Sequence, residues 1–289
     1  MKCLCGAFIL LTTLACATTP TPPAAAPAPA PTPVAAVTPP CNPGIAIVSS
    51  TVWVQKAAEY RAVALATFAG ARRSLDAALA DPSWNAEEGT SDPSQPPAII
   101  VDSDDTVFDN TPYETRVLRQ GKTWDDAMWD AWVAEASTDA VPGAAEFLAY
   151  AKSRGVTVFY VTNRDADEEA GTRLRIERLG FPLDSNVDTV LVRGEREEWK
   201  TSDKGPRRAH VAASYRVLLL AGDDLNDFAN ARDKSVAERY EIVRAKESWW
   251  GTKWFMVPNP MYGSWERALT GGTGTPCEQL QKKIDALRP

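Results

Sequence analysis

The sequence predicts an α/β fold: a doubly wound parallel sheet with helices on both faces. Runs of purely apolar residues alternate with stretches of helical spacing, and three of those runs stop at polar clusters. Continuous apolar runs suit the inner strands of a parallel sheet covered on both sides. Ala98–Val101 leads into Asp102, Val156–Val161 ends at Thr162-Asn163-Arg164, and Tyr215–Ala221 ends at Gly222-Asp223-Asp224. Ligands of such sheets bind beyond the carboxyl ends of the strands, so the three clusters are expected to meet at one place.

In chain order, residues 1–16 read as an export signal, with Lys2, an apolar run from Gly6 to Leu14, and Ala15 before Cys16. The Leu14-Ala15-Cys16 ending resembles a bacterial lipoprotein signal, which implies an acylated Cys16. Ordinary secretion is the alternative. Residues 17–44 form a Pro/Ala-rich tether: from Thr19 to Pro40, nine of 22 residues are proline, so regular backbone pairing is blocked. Thr51–Asp81, rich in Ala and Leu and closed by Pro82, predicts one long helix. Ala98–Val101 predicts the first strand. Trp124, Met128, Trp129, Trp132 and Val133 give Thr123–Ala136 helical spacing, and Val141-Pro142-Gly143 opens another helix through Lys152. Val156–Val161 predicts the second strand, Arg173–Leu179 a helix ended by Gly180, Asp188–Val192 the third strand, and Tyr215–Ala221 the fourth.

The formal charge of -7 and the absence of a clustered basic face argue against a nucleic-acid polymer as partner. His210 is the only histidine, which excludes phosphatases that need two imidazoles and most zinc hydrolases. No G-x-S-x-G occurs. Beyond Cys3, Cys5 and Cys16 only Cys41 and Cys277 remain; they either bridge the two ends of the domain in an oxidising compartment or are two unrelated buried thiols.

Carboxylates are the chemistry left in quantity. Asp102, Asp104, Asp105 and Asp109 fall within eight positions, and like charges so close call for a cation among them. Asp102 and Asp104, just beyond a buried strand, fit a D-x-D-x-T arrangement. Two carboxylates aimed at a phosphate dianion would repel it without a hard cation such as Mg²⁺. A calcium EF-hand loop fails, because Val107 stands where glycine is needed and Tyr113 where the bidentate Glu belongs.

VDSDDTVFDNTPYE, VTNR, Lys204 in SDKGPRR, and GDDLNDF resemble the four motifs of the haloacid-dehalogenase-like (HAD-like) phosphatases, and specifically the bacterial class C acid phosphatases. VPGAAEFLAYAKSRGV and PNPMYGSWE resemble that class as well. The resemblance implies a HAD-like domain over residues 45–289, with a smaller helical cap formed mainly from residues 45–90 and 111–140. It implies that Asp102 attacks phosphorus and that Asp104 protonates the leaving oxygen, then deprotonates water. Thr162 and Lys204 would hold phosphoryl oxygens. Mg²⁺ would be bound by Asp102, the backbone carbonyl of Asp104, Asp223 and Asp227, and Thr106 would buttress the loop. Asn163 and Arg164 would line the mouth, with Trp124 and Tyr262 beside the substrate.

The implied substrates are small phosphomonoesters: nucleoside monophosphates, nicotinamide mononucleotide and aryl phosphates. The implied location is the outer membrane by a lipid on Cys16, or the periplasm or medium without it; an oligomer is compatible. Two rivals remain open: a phosphotransferase of the same superfamily, and a non-catalytic surface lipoprotein that binds ligand on the same scaffold.

Overall fold

Five strands, β1 (Pro97–Val101), β2 (Thr157–Asp165), β3 (Val190–Arg193), β4 (Arg216–Gly222) and β5 (Trp254–Met256), pair in parallel in the order β3-β2-β1-β4-β5. They belong to a computed structural model that describes residues 41–89 and 92–288; the export signal, Cys16 and nearly all of the tether lie outside the described residues. The helices are α1 (Ile45–Lys56), α2 (Ala58–Ala80), α3 (Thr111–Leu118), α4 (Asp126–Glu135), α5 (Ala144–Ser153), α6 (Glu169–Arg178), α7 (Gly205–Ala212), α8 (Val236–Ala245), α9 (Ser264–Thr270) and α10 (Pro276–Asp285). Among the described residues no helix is long and apolar enough to cross a membrane.

The apolar runs are buried on both sides, as a doubly wound sheet requires. Ile99 and Val101 of β1 face a core shared with Phe68, Leu75 and Leu148 from α2 and α5. Ala98 and Ile100 face the opposite core, with Trp199, Val211, Phe228 and Trp254. The central position of β1, between β2 and β4, brings the ends of all three strands side by side.

Several boundaries differ from the sequence expectation. The single helix predicted over Thr51–Asp81 is two helices, broken at Ala57, whose φ of -78° and ψ of 129° are extended. The break lets α1 pack on α3 while α2 lies along β4, β5 and α5. The third strand starts at Val190, because the Asp188 carboxylate accepts the Val190 N–H (3.1 Å) and turns the chain there. The helix predicted from Thr123 starts at Asp126, since Asp125 caps it by accepting the Met128 N–H at 3.0 Å. Strand β5 was not anticipated.

Of the segments assigned to the cap, residues 45–90 and 111–140, α2 belongs to the layer covering the sheet. Tyr113, Val117 and Trp132 of α3 and α4 make a small core of their own, with α1 against α3. The chain from Cys41 onward is one compact unit.

Cys41 and Cys277 form a disulfide, joining the start of this unit to the first turn of α10 across 236 residues. Closing so long a loop restricts the unfolded chain strongly, by about 5 kcal/mol in the chain-entropy account. Replacing both cysteines by serine is expected to lower the urea-unfolding stability by a few kcal/mol; an unchanged midpoint would show that the bridge adds nothing to the fold.

Candidate active site

β1 delivers Asp102 to the top of the sheet, where its N–H donates to the Ala221 carbonyl of β4 at 2.9 Å. The chain then folds back on itself: the N–H groups of Val107 and Phe108 both donate to the Ser103 carbonyl, at 3.0 and 2.9 Å. Asp105 occupies the left-handed region with φ 54°, a conformation Asp tolerates better than most side chains. This tight loop points Asp102 and Asp104 to one side and leaves Asp105 buried on the other.

β4 supplies the facing acids. Asp223 accepts a hydrogen bond on each carboxylate oxygen, from the Thr106 hydroxyl at 3.1 Å and from the Asn259 amide at 2.8 Å. Thr106 thus ties the first loop to the fourth, the buttress expected of it. Asp227 closes a capping box with Asp224, accepting the Asp224 N–H at 2.9 Å. Gly222 makes this possible: a Cβ there would lie 2.4 Å from an Asp227 carboxylate oxygen, so any other residue would push Asp227 out of place.

Lys204, in the residue before α7, reaches into this group with its side chain 4% exposed. Its ammonium donates to Asp102 and, at 2.6 Å, to Asp227. Burial alone would lower the Lys204 pKa, but the two carboxylates outweigh it and hold the ammonium above its ordinary range. Burial, reinforced by Asp227 and Asp102, pushes Asp223 well above the usual carboxylate range. The carboxylates of Asp102, Asp223 and Asp227 all present oxygens within 4.8 Å of one another. One ammonium does not balance three carboxylates, two of them buried and one half-buried, and an all-oxygen set of this kind fits a hard divalent cation.

Asp104 stands apart from that group. Arg164, whose side chain is fully buried, grips its carboxylate with Nε at 3.0–3.1 Å and Nη2 at 2.7 Å, and the Asn110 amide adds a donor at 2.7 Å. Burial opposes ionisation of Asp104, but Arg164 prevails and holds its pKa below the ordinary value. Of the four residues expected at the metal, Asp102, Asp223 and Asp227 are brought together, while the Asp104 carboxylate is taken up by Arg164 and Asn110. Asn163 and Arg164 line the cleft as expected. Thr162 is fully buried, its hydroxyl accepting the Arg164 N–H at 3.2 Å.

The cleft holds about 520 Å³ and is walled by Trp124, Trp129 and Tyr262 beside the carboxylates. Trp124 sits at the rim, 49% exposed, against Tyr113 and Trp129. The Tyr262 hydroxyl is engaged by the Asp105 carboxylate. Burial pushes that carboxyl up to about 7 despite the tyrosine's hydrogen bond.

A family profile described as HAD superfamily, subfamily IIIB (acid phosphatase), matches residues 43–265. The chain belongs to this family. The class C acid phosphatase from Bacillus anthracis superposes with a TM-score of 0.76 at 31% identity, covering 86% of this chain and 99% of that one. The structure of the Bacillus anthracis enzyme with tungstate bound gives 0.73 at 31% identity, covering 83% and 96%. The stem 31 kDa glycoprotein of Glycine max is 22% identical over 168 residues, 57% of this chain and 58% of its own length.

In this subfamily IIIB chain, several partners went unassigned in the sequence reading: buried Asp105, Asn110, Arg175 and Arg207, and half-buried Asn259. Arg207 donates to the Thr162 carbonyl and, at 2.6 Å, to the Asn163 side-chain oxygen, so it fixes the end of β2. Arg175 bridges the Asn110 side chain and the Trp132 carbonyl at 3.1 and 2.8 Å. An arginine on a helix gives no sign in sequence that it faces inward.

The charge imbalance predicts a measurable linkage. Mg²⁺ at about 100 times its Kd is expected to stabilise the fold by about 2.7 kcal/mol. Calorimetry should show that shift in the wild type and its loss in Asp223→Asn; no rise in Tm with Mg²⁺ would contradict the metal site.

Proposed function

We propose that the protein is a Mg²⁺-dependent phosphomonoesterase that works through a phospho-aspartate on Asp102. The observation that carries this reading is the meeting of Asp102 with Asp223, Asp227 and Lys204 at the floor of one cleft. An Asp102 oxygen attacks phosphorus, forming an acyl phosphate as the ester P–O bond breaks. Asp104 is the proton-transfer group: once protonated it serves the departing oxygen, and as the carboxylate that Arg164 favours it takes a proton from the water that then hydrolyses the acyl phosphate. Arg164 and Asn110 fix the orientation of Asp104 between the two steps. Lys204 neutralises phosphoryl charge, with Thr162 and Asn163 at the neighbouring strand end. Asp102, Asp223 and Asp227, with the Asp104 carbonyl, would hold the Mg²⁺, which would supply charge neutralisation for a dianionic substrate.

The substrates proposed are nucleoside monophosphates, nicotinamide mononucleotide and aryl phosphates. Trp124 and Trp129 at the cleft suit a flat leaving group, for which stacking contributes about 1–3 kcal/mol without selecting one ring. Tungstate, a tetrahedral oxyanion like phosphate, is bound in the Bacillus anthracis relative. Export is part of the same proposal: the Cys41–Cys277 bridge suits an oxidising compartment. An acylated Cys16 would tether the enzyme to a membrane.

Asp102→Asn is expected to lower hydrolysis of 4-nitrophenyl phosphate by at least about 10³-fold with the circular dichroism spectrum unchanged. Retained turnover in a folded Asp102→Asn protein would reject the nucleophile. Chelation by EDTA should abolish turnover and Mg²⁺ restore it; indifference to EDTA would remove the metal from the mechanism.

A further inference from the structure

Behind the wall of the catalytic cleft lies a second cavity of about 330 Å³, enclosed by α1, α3, α9 and α10. Trp124, Tyr262 and Glu266 line both spaces. Glu114, from the first turn of α3, lines only the second. It is 3% exposed, and its carboxylate has no hydrogen-bond or ion-pair partner among the described residues. The cation of the cavity, Lys283, is engaged by Glu266. Two carboxylates and one ammonium leave the space one positive charge short.

A buried carboxylate without a partner costs several kcal/mol when ionised. Burial, then Asp105 and Glu266, push the Glu114 pKa up to about 8, the response of an acid with no counter-charge. A metal ion suits the place poorly, because only Glu114 and Glu266 supply carboxylates and Lys283 already occupies the second. Aromatic walls beside one unpaired carboxylate favour an organic cation, since ring faces attract ammonium groups and tolerate their alkyl chains. A volume of about 330 Å³ admits a short alkyl chain as well as the charged head.

We propose that this cavity binds a primary alkylammonium group, with Glu114 as its counter-charge and Trp124 and Tyr262 as its aromatic walls. The site shares Trp124, Tyr262 and Glu266 with the catalytic cleft, but Glu114 lies outside that cleft and the site does not depend on the role given to Asp102. Because Tyr262 also donates to Asp105 in the loop that carries Asp102 and Asp104, an occupant would bear on the geometry of that loop.

The test is calorimetric titration of the full chain with n-butylammonium chloride, with n-butanol as the uncharged control. Saturable binding of the ammonium, at least about tenfold tighter than n-butanol, is expected. Glu114→Gln should weaken it by about tenfold or more, and Leu280→Trp, which fills the cavity from α10, should do the same without touching the charge. The two variants answer independently if one fails to fold. Two sources of the amine are separated by comparing 6-aminohexyl phosphate with hexyl phosphate as substrates. An amine-dependent KM advantage that Glu114→Gln abolishes assigns the group to the substrate. Ammonium binding without such an advantage assigns it to a free amine. The proposal is overturned if n-butanol binds as tightly as n-butylammonium, if neither binds, or if folded Glu114→Gln and Leu280→Trp both keep wild-type affinity.

Discussion

Three carboxylates, those of buried Asp102 and Asp227 and half-buried Asp223, are gathered around a single ammonium, that of Lys204. Ions taken out of water are tolerated only when paired and hydrogen-bonded. The surrounding structure answers that demand in detail. Thr106 and Asn259 satisfy both oxygens of Asp223, and the Asp224 N–H satisfies one of Asp227. What these bonds do not supply is charge, and the remaining negative imbalance favours a divalent cation over any neutral ligand. The same imbalance explains why such a centre is built on strand ends: only a rigid sheet keeps mutually repelling groups at fixed distances.

The sheet order makes the rest follow. With β1 between β2 and β4, the C-terminal ends of the strands, which carry Asp102, Thr162 and Asp223, are neighbours although their residues are far apart in the chain. Lys204 arrives from the start of α7, on the face opposite α2 and α5. Arg164 draws Asp104 away from the carboxylate group, so two acids of one short loop occupy different electrostatic surroundings. Separate surroundings suit the separate roles proposed for them, nucleophile for Asp102 and proton transfer for Asp104.

Much of this was legible in the sequence because the physics is local. The apolar runs ending in Asp102, Thr162 and Asp223 had to be buried strands, and their polar ends had to face a shared crevice. Lys204 was readable only through its resemblance to a motif, since nothing near it distinguishes a buried lysine from a solvated one. The break at Ala57 was not legible, because neither glycine nor proline marks it and packing of α1 on α3 decides it. Strand β5, three residues long, carries too little pattern to be seen. The partners of the site, Asn110, Asn259, Arg175 and Arg207, take their meaning from contacts across the fold. Tyr262 lines the cleft, but its bond to Asp105 needed coordinates.

The central claim is that a divalent ion resolves the repulsion among Asp102, Asp223 and Asp227. Crystals grown with Mn²⁺ as an oxygen-seeking stand-in for Mg²⁺ would test it through anomalous scattering. The account predicts one strong peak in direct contact with the carboxylate oxygens of Asp102 and Asp223. A peak elsewhere, or none with Mn²⁺ in excess, would contradict it.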